Sequence, residues 1–201
     1  KFQNGEEFTA KDVVYTFDRM LDPKTKALNT DILDFVLGAQ DRMDGKAAST
    51  AGLKALDKYT VQITLAKPFV PFLAIMASPQ ASILNEKFTK PLGNKYGLSA
   101  KATCGTGPFI LKDWTLNDHH TMVANPSYFR GRPQIDRFVV KIVTDPETMR
   151  MLFEAGEIDL FDCDFAMSQI PYFTSHAKWG KQTVSGPRVG LYYYSINQAI
   201  K

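Results

Sequence analysis

The sequence predicts an α/β protein in which an α+β subdomain is followed by part of a mixed sheet. Two observations carry this prediction. The first hundred residues combine capped amphipathic helices with an alternating hairpin, and residues 138–161 have the strand, helix and strand order of a parallel βαβ unit. The Cys-Gly-Thr-Gly-Pro run at 104–108 indicates a sharp change of direction. We therefore predict a boundary between a subdomain at 1–104 and a sheet-forming part at 105–201.

The first predicted element is a helix near the start of the chain. Thr9 and Asp12 form an S/T-x-x-D/E capping pattern, and the apolar residues after them fall on one helical face. Asp22 followed by Pro23 ends this helix. A second amphipathic helix is predicted from about Thr30 to Met43.

A hairpin and a short helix follow. Residues 59–65 alternate apolar and polar side chains, as a half-buried strand does, and residues 52–56 supply an antiparallel partner through a tight connection at 57–58. Pro71 opens a short apolar helix that runs to Met76. A polar interval from Glu86 to Thr103 comes next.

The second half of the chain is predicted to contain strands joined by turns and helices. The predicted strands are Phe109–Trp114, Thr121–Ala124, Phe138–Val143, Ile158–Phe161, Gln182–Val184 and Leu191–Ile196. Asp145 and Pro146 cap a helix that Gly156 ends, which completes the βαβ unit. A further short helix is predicted at 166–173.

The composition is that of an ordinary globular protein. Hydrophobic residues make up 44% of the 201 residues and charged residues 22%. The net charge of +3 comes from 24 basic and 21 acidic residues scattered along the chain, so we expect no nucleic-acid partner. The longest apolar stretch, Phe69 to Ala77, is interrupted by Pro71 and is shorter than the roughly 20 residues of a membrane helix. Because the chain starts at Lys1 without an apolar leader, we expect that any targeting sequence lies upstream or has been removed.

The motifs that could carry chemistry favour a structural interpretation. His119 and His120 are adjacent on a predicted strand, so they point to opposite faces and cannot easily bind one ion. The Gly-Thr-Gly at 105–107 lacks the spacing and the Lys of a phosphate-binding loop. Carboxylates between 154 and 164 are typical of a solvated helix end and loop. We therefore predict no catalytic residue, no metal ligand and no cofactor.

Cys104 and Cys163 are compatible with one disulfide or with two free thiols. Free thiols are favoured because a core of this size needs no covalent link. The aromatic run at 192–194 lies in a predicted strand, where at least one ring could line a pocket.

Five segments together resemble one known family. They are residues 2–17, Leu-Asp-Lys-Tyr-Thr-Val at 56–61, Gly-Thr-Gly-Pro-Phe at 105–109, Asn-Pro-Ser-Tyr-Phe-Arg-Gly-Arg-Pro at 125–133 and Ala-Gly-Glu-Ile-Asp at 155–159. In this order they resemble the extracellular solute-binding proteins of family 5, which serve bacterial oligopeptide, dipeptide and nickel ABC importers. Phe129 stands where that family usually has Trp.

The resemblance implies a fold of the periplasmic-binding-protein type II kind. Residues 1–104 would then be an accessory subdomain and residues 105–201 part of ligand-binding lobe I, and the stretch would be a fragment that lacks the second lobe. The implied function is a monomeric, non-enzymatic receptor. It would capture oligopeptides or dipeptides outside the cytoplasmic membrane, in the periplasm or as a cell-surface lipoprotein, and deliver them to an ABC-transporter permease.

The same resemblance places the ligand contacts at Asn29, after the first helix, and at Gly190, Leu191 and Tyr192, where a strand starts. A glycine at 190 would let a ligand backbone approach closely, and a role in a turn would explain it equally well.

Two alternatives stay open. A receptor for a nickel chelate, a sugar or an opine could use the same scaffold. A hydrolase or metal enzyme would have to use Cys163, His119 or His176.

Overall fold

The computed structural model describes residues 1–186, which form two compact units, one of residues 1–141 and one that starts at Ile142. The α-helices are α1 (Ala10–Leu21), α2 (Ala39–Met43), α3 (Phe72–Met76), α4 (Glu86–Leu92), α5 (Pro146–Glu154) and α6 (Ile170–Ser175). The strands are β1 (Leu53–Ala55), β2 (Val61–Ile63), β3 (Phe109–Thr115), β4 (His119–Ala124) and β5 (Arg137–Lys141). Single turns of 3-10 helix connect several of them, at Pro23–Thr25, Thr30–Leu33, Pro79–Ala81, Gly93–Lys95, Ala100–Ala102, Cys163–Phe165, Met167–Gln169 and Gly180–Gln182. Within the described range, no helix has the length and apolar character needed to cross a membrane.

Helix α1 begins with the predicted capping box. The Asp12 carboxylate accepts hydrogen bonds from the backbone N–H and the hydroxyl of Thr9, both at 2.8 Å. Its other oxygen accepts the N–H of Glu86 at 3.0 Å, so one buried carboxylate holds the starts of α1 and α4 together. The helix ends at Leu21, as predicted from Asp22 and Pro23.

The core of the first unit lies between α1, the hairpin and the turns around them. Its buried members are Phe17, Leu21, Leu33, Val36, Ala39, Leu53, Phe72 and Ala81. Full burial of one large apolar side chain stabilises a fold by about 1.5–3 kcal/mol, so this cluster is the main source of the unit's stability. Phe17 and Leu21 come from the apolar face predicted for the first helix.

The prediction of one helix from Thr30 to Met43 is wrong. The segment forms a 3-10 turn at Thr30–Leu33 and the short helix α2, separated by Gly38 with a φ of +81°. Between them the chain pairs with the hairpin, because Leu37 N–H donates to Thr64 O at 2.9 Å and Gly52 N–H donates to Leu37 O at 2.8 Å. These long-range bonds replace the helical ones.

The predicted hairpin is confirmed. Strands β1 and β2 are antiparallel and pair Leu53 with Ile63 and Ala55 with Val61. The Asp57 carboxylate accepts the N–H groups of Tyr59 and Thr60 at 2.8 and 2.9 Å, which fixes the connection. The predicted short helix after Pro71 is also formed, as α3.

Helix α4 lies in the polar interval from Glu86 to Thr103, to which the sequence analysis assigned no element. Its cap is Asn85, whose side chain accepts the N–H of Phe88 at 2.7 Å and is almost fully buried. The helix is short and contains Pro91, and few of its residues are apolar, so the periodic signal in its sequence is weak.

The second sheet has three antiparallel strands in the order β3, β4, β5. A turn with Asn117 in the left-handed region, at a φ of +61°, joins β3 to β4, as predicted. The start of the chain is attached to the start of this sheet. The Gln3 amide donates to Phe109 O at 2.7 Å and to Gly107 O at 3.3 Å.

The second unit starts with the predicted capped helix. Asp145 accepts the N–H of Thr148 at 2.8 Å at the start of α5, and Gly156, with a φ of +74°, ends it. Helix α6 and the turn before it lie where a short helix was predicted.

Two strand predictions in this unit are wrong for the described residues. Ile158–Phe161 forms no strand, and a 3-10 turn at Gly180–Gln182 leads into an irregular segment where another was expected. A strand needs a ladder partner for its backbone groups, and within 1–186 all sheet pairing is antiparallel and lies in the first unit. The predicted βαβ unit is therefore not formed there. The strand predicted at 191–196 lies outside the described residues.

The predicted domain boundary between 104 and 105 stays a prediction. The division into compact units falls at 141 and 142. The predicted boundary concerns the role of each part in a larger fold.

Candidate ligand-binding site

Asn29, one of the predicted ligand contacts, is exposed at the surface of the first unit. It directly precedes the 3-10 turn Thr30–Leu33, and its side chain makes no capping hydrogen bond there. Its neighbour Leu28 is 96% exposed. An amide that has no cap to serve, next to an exposed apolar side chain, is available to a ligand. Gly190, Leu191 and Tyr192 lie outside the described residues, so Asn29 is the predicted contact that the structure places.

A cavity of about 490 Å³ lies in the second unit. Aromatic rings form one wall: Phe153, Phe161, Phe173 and Trp179. The rings pack on one another, with centroid distances of 4.9 Å between Phe153 and Trp179 and 4.8 Å between Phe161 and Phe173. Phe173 is buried and anchors this cluster, which makes the wall a fixed surface.

The rest of the cavity lining includes acidic and polar residues. Asp159, Asp162 and Asp164 contribute carboxylates, and Thr174, Gln182 and Thr183 contribute hydroxyl and amide groups. The Asp162 carboxylate accepts the N–H of Asp164 at 2.9 Å. A cavity lined by both aromatic rings and carboxylates can hold an apolar group that carries positive charge.

A shallower groove of about 280 Å³ lies in the first unit, between α1 and the hairpin. Its main acidic group, Asp18, already accepts hydrogen bonds from Thr50 and Arg42. Burial raises the pKa of Tyr15, which also lines the groove, so that hydroxyl stays neutral. Because Asp18 is already bonded to Thr50 and Arg42, the groove is better explained by the packing of the unit than by ligand binding.

His119 lies between two carboxylates on the three-stranded sheet. Its Nδ1 is 2.8 Å from Asp118 and its Nε2 is 2.9 Å from Asp113. Asp118 first, and then Asp113, raise the pKa of the imidazole against the opposing effect of burial. Stabilising the charged form of a His makes it a poorer metal ligand, because a metal binds the neutral imidazole. In the described part of the chain, no group of three His, Cys, Asp or Glu residues could hold a metal ion.

His176 and Cys163 have no catalytic geometry either. The Nδ1 atom of His176 accepts the N–H groups of Lys178 and Trp179 at 3.2 and 3.3 Å. Burial raises the pKa of the Cys163 thiol, and the carboxylates of Asp162 and Asp164 raise it further. A thiol with a raised pKa is a weak nucleophile. Both this cysteine and Cys104 are free thiols in the structure.

Our sequence reasoning missed the cavity. It assigned the five carboxylates between 154 and 164 to a solvated helix end and loop. Asp159, Asp162 and Asp164 line the cavity, whereas Glu154 and Glu157 do not. The available signal was three acidic residues, Asp159, Asp162 and Asp164, close to the aromatic Phe161 in the sequence. The rest of the wall comes from α5, α6 and the turn at Trp179, and their convergence is a property of the fold.

A fixed cavity without an activated nucleophile or a metal cluster in the described range is the kind of site that a solute-binding module has. The chain belongs to the family described as bacterial extracellular solute-binding proteins, family 5 Middle, whose model matches residues 1–201. Members of this family bind solutes and are not enzymes.

The relatives include peptide-binding and nickel-binding proteins. The chain is 32% identical over 165 residues to the dipeptide-binding protein of Lactococcus lactis subsp. cremoris, which covers 79% of this chain and 30% of the relative. It is 31% identical over 163 residues to the nickel-binding periplasmic protein of Escherichia coli, covering 80% of this chain and 28% of the relative.

Solved structures confirm the predicted fold class. The OppA protein of Listeria monocytogenes, solved bound to peptide, matches with a TM-score of 0.75 and 33% identity over 84% of this chain and 34% of that one. The chain thus spans about a third of the length of the relatives that it matches.

Proposed function

We propose that the protein is the solute-binding receptor of an ABC importer and that it captures dipeptides or oligopeptides. The observation that carries the proposal is the family match across residues 1–201. The names of its relatives support the peptide class, since dipeptide-binding and oligopeptide-binding proteins from several bacteria align with 78–98% of the chain. We further propose that the receptor is monomeric, acts outside the cytoplasmic membrane, in the periplasm or as a cell-surface lipoprotein, and delivers its ligand to a membrane permease.

Within this proposal, residues 1–104 are the accessory subdomain and residues 105–201 are part of ligand-binding lobe I. Asn29, Gly190, Leu191 and Tyr192 are the proposed ligand contacts. The exposure of Asn29 and its lack of a capping bond support its assignment. Backbone-directed recognition would let such a receptor accept many peptide sequences, because every peptide offers the same main-chain groups.

A nickel chelate is the second candidate, favoured by the similarity to the E. coli nickel-binding protein. The lining of the described cavity argues against it, because it contains aromatic and carboxylate groups and no His. The two candidates predict different ligands in the protein as isolated from cells.

The deciding experiment uses the full-length protein. It is incubated with a mixture of di- to pentapeptides, separated from free ligand, and analysed by mass spectrometry for bound peptide and by elemental analysis for nickel. Bound peptide without nickel supports the proposal. Absence of bound peptide would overturn it, and stoichiometric nickel would establish the second candidate.

Two variants test the proposed contact. Asn29→Ala removes the exposed amide, and we expect a fall of about threefold to tenfold in peptide affinity, the value of one hydrogen bond. Asn94→Ala removes another exposed amide, in the 3-10 turn Gly93–Lys95, and serves as the matched control. Equal affinities of the two variants would show that Asn29 is not a contact.

A further inference from the structure

The cavity of the second unit has the size and the charge of a pocket for a cationic side chain. Its volume of about 490 Å³ lies in the range of small-molecule pockets, and its described lining comes entirely from residues 153–186. We propose, building on the peptide-receptor function, that this cavity binds the guanidinium group of an arginine side chain in the peptide ligand.

The aromatic wall supplies the first half of the recognition. A guanidinium is flat and weakly hydrated, and it stacks on aromatic faces. The aromatic groups of this unit already hold cations in this way. Arg150 lies over the ring of Tyr172 with a centroid distance of 4.7 Å, and the Lys178 ammonium lies 3.8 Å from the centroid of Trp179. The rings of the wall therefore offer a surface that favours positive charge.

The carboxylates supply the second half. Asp159 lines the cavity and makes no hydrogen bond or ion pair with any other residue between 1 and 186. The other two lining carboxylates are already engaged, since Asp162 accepts the N–H of Asp164 and Asp164 has an interaction of its own. Asp159 is thus the anion that can pair with a ligand.

The segment that contains the cavity also carries a net negative charge, as the carboxylates of the lining do. Between residues 142 and 186 there are seven Asp and Glu residues and three Lys and Arg residues, in a chain whose net charge is +3. The acidic excess is therefore local to the unit that contains the cavity. Such a field attracts a cationic side chain and disfavours an anionic one.

Arginine fits this lining better than lysine does. Its planar group can stack on a ring and donate two parallel hydrogen bonds to one carboxylate at the same time. A lysine ammonium is strongly hydrated and can make only point contacts, so it would lose more hydration in reaching the aromatic wall.

The test uses the full-length protein and two peptides that differ in one group. Calorimetric titration compares Ala-Arg-Ala with the same peptide containing citrulline, which keeps the shape of arginine and lacks its charge. We expect the arginine peptide to bind at least about fivefold more tightly, the value of an ion pair open to solvent. In Asp159→Asn we expect this ratio to fall below about twofold, and Trp179→Leu should lower it as well.

Asp34→Asn is the matched control, because it removes one exposed carboxylate from the first unit. It should keep the full preference for arginine. We expect Asp159→Asn to fold, because Asp159 is exposed and Asn has the same shape as Asp. A lost preference for arginine in this variant can therefore be attributed to the missing charge. Thermal unfolding of each variant checks this.

The outcomes separate the two proposals. If the wild-type protein binds both peptides equally, or if Asp159→Asn keeps the preference, the arginine pocket is refuted and the receptor function stands. If neither peptide binds while the mixture of di- to pentapeptides yields bound peptide, the arginine pocket is refuted and the receptor function stands; if the mixture yields no bound peptide either, the receptor function itself is refuted.

Discussion

Arg42 forms a two-pronged ion pair with Asp18. Its Nε lies 3.2 Å from both carboxylate oxygens of Asp18, and its Nη2 lies 3.1 Å from Oδ2. The same Nη2 donates to Asp22 at 2.8 Å, and Asp18 also accepts the N–H of Thr50 at 2.7 Å. The pair therefore joins α1, α2 and the start of the hairpin through partly buried groups.

Arg42→Leu should destabilise the first unit by about 2 kcal/mol, because two carboxylates lose their charged hydrogen-bond donor. Urea unfolding of the full-length protein measures the change. Lys46→Leu removes a solvent-exposed pair with Asp44 and should cost less than about 0.5 kcal/mol. A similar cost for the two variants would contradict the role given to Arg42.

Asp22 gives this network a dependence on pH. The hydrogen bond from Lys24 N–H lowers the pKa of Asp22 most, burial opposes the shift, and Arg42 lowers it further. A carboxylate with a lowered pKa contributes stability above its unfolded pKa of about 3.9, and this contribution is lost as the pH falls through the folded pKa. As the pH is lowered from 5 into the acid range, we expect the free energy of unfolding of Asp22→Asn to fall less than that of the wild type. Urea unfolding at each pH measures this difference. Parallel acid profiles would show that Asp22 does not contribute.

Gly52 lies where strand β1 meets the segment around Leu37. An added Cβ would lie 2.6 Å from Thr64 O and 2.9 Å from Leu37 N, both of them backbone atoms. Gly52→Ala should therefore cost about 2 kcal/mol or more, because the backbone must move to accept the methyl group. Gly107→Ala is the control, since an added Cβ there meets nothing within 4 Å, and it should be nearly neutral. Thermal unfolding compares the two, and equal midpoints would refute the close approach at Gly52.

His119 should titrate above the ordinary histidine pKa of about 6.5, since Asp118 and Asp113 stabilise its charged form. The stability that it contributes is present below pH 6.5 and is lost as the pH rises through the folded pKa. NMR titration of the imidazole measures this value, and Asp118→Asn should lower it. An unchanged His119 titration in Asp118→Asn would contradict the structure.

The elements that the sequence predicted well are those defined by local chemistry. The first helix depends on Thr9 and Asp12, three residues apart, and the hairpin on Asp57 and the alternation beside it. In each case the residues that fix the backbone are neighbours in the chain, so their pattern is visible without the fold.

The elements predicted wrongly depend on distant partners. The stretch at 30–43 has a helical pattern, but the bonds from Leu37 to Thr64 and Gly52 break it. Helix α4 needs Asp12 to receive the N–H of Glu86 at its start. The strand expected at 158–161 has no ladder partner among the described residues. Sequence patterns report local preferences, and these outcomes were decided by contacts between remote segments.

The candidate site shows the same limit. Exposure at Asn29 agrees with its predicted role as a contact, whereas the cavity in the second unit is formed by residues from 153 to 186 that converge only in three dimensions. The acidic residues of that segment were visible in the sequence. That three of them line one cavity together with four aromatic rings was not.

The hydrogen bonds from the Gln3 side chain to the backbone of Gly107 and Phe109 join two parts of the chain that are more than a hundred residues apart in sequence. The segment between them, residues 4–106, therefore starts and ends at nearly the same place in the structure. A stretch with adjoining ends can be exchanged, trimmed or grafted while the framework on either side keeps its geometry. We therefore expect that changes within residues 4–106 leave the three-stranded sheet in place.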